Sequence, residues 1–88
     1  MNTFPLLGEF LGSFILMVSY TTGSPIVIGL TTMFLIFILE NISGAYVNPA
    51  VSVAMYIKGA LSALELVAYS LVQCAGALTA WYAYKVLV

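Results

Sequence analysis

Residues Ser43–Val51 read SGAYVNPAV, directly after a nearly unbroken hydrocarbon run at Pro25–Asn41, PIVIGLTTMFLIFILEN. A surface loop has use for Gly, Ser and Asn, but not for the apolar VAMYI that follows at Val53–Ile57. Asn48-Pro49 has the grammar of a helix start: an N-cap residue, then Pro at the first helical position, where no N–H is required. Ser24-Pro25 repeats that grammar. From Pro49 the apolar run reaches Lys58-Gly59, and a helix of that length rises about 15 Å, half of a ~30 Å hydrocarbon core. Such a piece is either an interfacial helix or a re-entrant half-helix. Ser43-Gly44-Ala45 supplies small residues suited to a tightly packed peptide, and Lys58-Gly59 a polar return to the surface, so the pattern favours re-entry. As N-cap, Asn48 is expected to accept from the N–H of Val51 at N3, leaving its NH2 as two fixed donors.

Working outward, three segments are long enough to span: about 4–20, ended by Thr21-Thr22-Gly23; about 25–41; and about 62–87, opened by the capping box Ser62-Ala63-Leu64-Glu65. Composition agrees with lipid as the solvent. Of 88 residues, 64% are hydrophobic and 6% charged, too little charge to cover a soluble domain. A net charge of −1 excludes phosphate neutralisation, hence nucleic acid as a partner. The lone Cys74 and the lack of His leave neither a disulfide framework nor a metal site, and no cofactor is expected. No cleavable signal peptide is expected, because the N-terminus lacks a basic region and the first apolar run carries Glu9. The reading is an all-α, multi-pass membrane protein: three transmembrane helices, with a re-entrant loop and half-helix over about 42–58.

SGAYVNPAVSVA at Ser43–Ala54 closely resembles the first-half signature of aquaporins and glycerol facilitators, the major intrinsic proteins, typically SGAHxNPAVTxA. GEFLGSF at Gly8–Phe14 is similar to the family's first helix, and AYSLVQCAGAL at Ala68–Leu78 to its third. The resemblance covers nearly all of this chain, residues 1–88, but only the amino-terminal half of a usual member. It implies half of an aquaporin-like fold, with Asn48, Pro49 and Ala50 at the pore centre. It also implies that Glu9 supports the loop by accepting its backbone N–H groups; its position alone also allows a snorkelling, interfacial acid near the helix start. Gln73 is a helix-packing amide or a loop anchor. Gly8, Gly12, Gly76 and Ala80 read as close-packing positions, and Trp81, Tyr82 and Tyr84 as an interface belt. By the family's motif offsets, the constriction falls on Ile28, Ile36, Ala45 and Val51, all apolar, with Val51 where the second half normally carries Arg. Ser43, Gly44, Tyr46 and Val47 fall on the vestibule, their carbonyls lining it as acceptors, and Tyr46 replaces the usual gate His.

A lone half leaves non-helical backbone at membrane depth, tolerated only when buried in protein or lining a water-filled cavity. The expected partner is therefore a second copy, inverted, with a tetramer of such dimers as a further possibility. Three spans put the termini on opposite sides, and Lys58 and Lys85 nearly balance, so the positive-inside rule does not fix orientation. The expected activity is passive passage of water or small uncharged solutes such as glycerol, with no enzymatic chemistry. The alternatives are a dual-topology transporter using Glu9 as a proton-coupled carboxylate, and an auxiliary or remnant half-channel that pairs with a full-length one.

Overall fold

The computed structural model describes residues 2–88. It contains α1 (Phe4–Tyr20), α2 (Pro25–Leu39), α3 (Pro49–Lys58) and α4 (Ala63–Leu87), and no strand among the described residues. Local chemistry sets most of the boundaries. Ser24 Oγ accepts from the Val27 N–H at 3.3 Å ahead of Pro25. Ser62 and Glu65 close a reciprocal capping box, with bonds of 3.1 and 2.9 Å. Gly59 ends α3 at φ +95°, a left-handed cap that glycine adopts without steric cost. The second apolar segment stops being helical at Leu39, two residues before Asn41. There the Leu39 carbonyl collects the N–H groups of Ile42, Ser43 and Gly44 at 2.9, 2.9 and 3.3 Å, which turns the chain inward.

Only α4, with 25 residues, is long and apolar enough by itself to cross a membrane among the described residues; α1 and α2 are shorter apolar helices of 17 and 15 residues. The distribution of side chains is inside-out for water. The largest fully buried side chains are Gln73, Glu9 and Ser52, all polar, whereas Ile26, Phe37, Leu71 and Val86 stand outside at 72%, 81%, 67% and 82% exposure. No buried side-chain polar atom among the described residues lacks a partner. Polar satisfaction within and hydrocarbon without is the arrangement a bilayer selects.

α1 and α4 form the spine. Gly76 lies so close to α1 that an added Cβ would sit 2.4 Å from the Phe10 carbonyl oxygen. The buried residues of α4, Tyr69, Gln73, Gly76 and Ala80, recur at helical spacing and make one small and polar stripe facing α1 and the loop. α3 packs against α4, and α2 against α1, but α2 stays apart from both α3 and α4. Between α2 and α3 the loop is seated on Leu16, Leu35 and Leu39, burying Ala45 and Val47. Gly12 permits that seat: a Cβ there would fall 2.6 Å from Val47 Cγ1.

Candidate functional site

The site is built around the buried carboxylate of Glu9, which accepts four hydrogen bonds. Oε2 takes the Ser43 hydroxyl at 2.5 Å and the Tyr46 N–H at 3.2 Å; Oε1 takes the Val47 N–H and the Gln73 amide, each at 2.7 Å. A carboxylate has about four lone-pair sites, so this one is saturated. The same loop is held from its carbonyl side. Ser13 Oγ donates to the Val47 carbonyl at 3.2 Å, and the Tyr69 hydroxyl to the Ser43 carbonyl at 2.8 Å. Gln73 then reaches Ser52 Oγ at 2.8 Å, itself 3.1 Å from the Asn48 carbonyl, which ties the first turn of α3 to α4.

These contacts fix an unusual backbone. Gly44, Ala45 and Val47 have φ of +94°, +57° and +44°. For a β-branched residue such as Val47, left-handed φ costs on the order of 1–3 kcal/mol and persists only when its surroundings over-determine it. Two N–H groups aimed at one carboxylate do so here. The Tyr46 ring folds back over Gly44 and lies against Tyr69 with centroids 5.9 Å apart; a Cβ at Gly44 would be 2.6 Å from Tyr46 Cζ.

At the end of the loop Asn48, with extended backbone, caps α3 by accepting the Ala50 N–H at 2.8 Å. The partner is thus the N2 amide, not that of Val51 at N3, because the side chain closes a local turn over two residues. Its Oδ1 is engaged, its NH2 meets no acceptor among the described residues, and the residue is exposed. Asn48 borders two concavities. One, of about 290 Å³, is walled by Met17, Pro49, Cys74 and Ala77 between α1 and α4. The other, of about 250 Å³, lies between α2 and α3 and is walled by Leu16, Thr32, Ile36, Ala45, Val51 and Asn48.

A profile of the family described as "Major intrinsic protein" matches residues 15–88 of this sequence. The chain belongs to the major intrinsic protein family. Among its relatives, Aquaporin NIP1-1 of Arabidopsis thaliana is 36% identical over 86 residues, covering 81% of this chain and 29% of that protein. Aquaporin Z of Brucella melitensis is 36% identical over 58 residues, covering 66% of this chain and 25% of that protein. The chain therefore spans less than a third of either relative. No solved structure matches it.

Within this major intrinsic protein, the structure brings Ile36, Ala45 and Val51 to one groove beside Asn48 but leaves Ile28 out of its wall. Ile28 lies eight residues before Ile36, about 12 Å along the axis and rotated about 80° around it. Thr32, one turn from Ile36, lines the groove, so this wall is not wholly apolar. The vestibule reading also changes. Of the carbonyls from Ser43 to Val47, the first and last are already bonded to Tyr69 and Ser13, so only Gly44, Ala45 and Tyr46 lack a donor among the described residues. Sequence reasoning did not pick out Ser52, Tyr69 or Thr32. The signal for Tyr69 was present in its spacing of four from Gln73 on the buried stripe of α4.

Proposed function

We propose that this chain is half of a passive channel for water and small uncharged solutes such as glycerol, completed by a second copy inserted in inverted orientation. The observation that carries this reading is the free amide of Asn48, exposed at the rim of a groove between two helices whose backbones stay apart. In this reading α1, α2 and α4 span the bilayer, and α3 descends about 15 Å, which puts Asn48, Pro49 and Ala50 near the midplane. The N-terminus of α3 contributes roughly +0.5 charge there. With Oδ1 engaged, Asn48 offers only donors, so passing water turns its oxygen inward and a proton-conducting chain is interrupted. Cations meet a positive centre. The concavity beyond Pro49 continues the seat of α3 along α4 into the other leaflet, where the half-helix of an inverted unit would lie. The relatives, more than three times the matched length, have room for a second such unit.

Glu9 weighs against proton coupling. Four donors from the loop and from α4 occupy its oxygens, which makes it a fixed structural anchor rather than a group facing the groove.

Purified protein in liposomes is expected to accelerate osmotic shrinkage and glycerol-driven reswelling over protein-free vesicles. Val51 forms part of the groove wall, so Val51→Arg adds bulk and fixed donors and is expected to cut glycerol flux several-fold more than water flux. Native protein that passes water but excludes glycerol would show that apolar bulk sets the cut-off instead. The inverted pair has its own check. A reporter fused at the C-terminus is expected to read both sides of the membrane, since Lys58 and Lys85 fall on opposite faces. A reporter confined to one side sinks the self-pair, and leaves a different inverted chain as the partner.

A further inference from the structure

We infer that Thr32 is a specificity-determining residue of the groove, supplying the acceptor that complements the donors of Asn48; the inference rests on the channel reading above. Thr32 lies one turn before Ile36 on α2 and shares a wall with Asn48, Leu16 and Val51. Its hydroxyl donates to the Ile28 carbonyl at 2.8 Å, the usual bond of a helical Thr to the preceding turn. A hydroxyl carries one proton and two lone pairs. With the proton committed along the helix, Thr32 presents oxygen lone pairs to the groove.

Asn48 is its complement. Oδ1 is committed to Ala50, so only N–H donors remain. The other polar side chains bordering the groove are the phenols of Tyr20, exposed at the end of α1, and Tyr46, folded back over Gly44. The loop residues Ala45 and Tyr46 add backbone carbonyls, which unlike Thr32 belong to the same element as Asn48. The remaining wall of Leu16, Ile36 and Val51 is hydrocarbon. A donor on one element and an acceptor on the opposite one, separated by aliphatic surface, suit a short carbon chain bearing hydroxyls. One solute hydroxyl accepts from Asn48 while another donates to Thr32, and the C–H face lies on Leu16 and Ile36. Water is small enough to turn and find its acceptor on another water or on a loop carbonyl. Thr32 therefore discriminates between polyols and water rather than setting total flux.

The test is the ratio of glycerol to water permeability in liposomes for native protein, Thr32→Val and Thr32→Ser. Val retains the shape and removes the hydroxyl; Ser retains the hydroxyl. Loss of one hydrogen bond is expected to lower glycerol permeability by about two- to tenfold in Thr32→Val. Water permeability should change by less than about twofold, and Thr32→Ser should keep the native ratio. Equal ratios in all three proteins, or a higher glycerol ratio in Thr32→Val, would overturn the role of Thr32 while leaving the channel intact. Native protein that conducts neither solute overturns the channel reading, and this inference with it.

Discussion

Glu9→Leu is expected to abolish solute flux in liposomes and to lower the thermal stability of the detergent-solubilised protein more than other single substitutions in the loop region. The change removes the acceptor of four donors at once. The Ser43 hydroxyl and the Gln73 amide can turn to other partners, but the N–H groups of Tyr46 and Val47 cannot. Each buried donor left unpaired costs about 1–3 kcal/mol, and Val47 loses what holds it in a left-handed conformation. Flux is expected to fall by more than about tenfold, the equivalent of some 1.4 kcal/mol. Glu9→Gln should be intermediate. Its oxygen can serve Val47 and Gln73 while its NH2 donates to Ser43 Oγ, which orphans the Tyr46 N–H and obliges the Ser43 hydroxyl to turn to another acceptor. A proton-coupled transporter predicts a different result: Glu9→Gln would abolish transport at unchanged melting temperature. Glu9→Leu protein that melts and conducts like the native one would show that the loop's shape rests elsewhere.

Gly76→Ala is expected to have the next largest effect. The new methyl would stand 2.4 Å from the Phe10 carbonyl oxygen and 3.2 Å from the Phe14 nitrogen, and backbone cannot swing aside as a side chain does. α1 and α4 must separate, at about 1–3 kcal/mol or more. The damage reaches the groove, because Ser13, 3.2 Å from the same methyl, bonds the Val47 carbonyl. Gly29→Ala is the control, since a Cβ there meets nothing within 4 Å and a mid-helix Gly→Ala change gains about 0.5–1 kcal/mol. Melting followed by Trp81 fluorescence should fall for Gly76→Ala and hold or rise for Gly29→Ala. Equal melting temperatures would contradict the close helix crossing.

What could be read from the sequence depended on how local its physics was. Ser24-Pro25, Asn48-Pro49, Ser62…Glu65 and Gly59 act within a few residues, and helix limits sit on them. The end of α2 depended on three amides converging on one carbonyl, which no propensity encodes. Ile28 is absent from the groove that holds Ile36, because an offset from a motif counts residues but not rotation about a helix. Thr32 passed unnoticed as one of two adjacent threonines in an apolar run, although its committed proton is what gives it chemistry. Ser52 and Tyr69 find their partners 21 and 26 residues away; the spacing of Tyr69 from Gln73 marks its buried face but not the bond it makes, and nothing near Ser52 announces its own. The resemblance to aquaporins supplied the role for Glu9 that position alone left open.

The network around Glu9 also has a consequence in time. Glu9 is made 64 residues before Gln73, which completes its shell. Tyr69, which holds the Ser43 carbonyl, belongs to the same late helix. While α3 emerges from the ribosome, the carboxylate lacks one donor and the loop lacks one of its two carbonyl clamps. The loop's full set of bonds therefore waits on α4 rather than being complete when α3 is made. A nascent chain stalled before residue 69 should hold its NPA segment less firmly than one that includes α4.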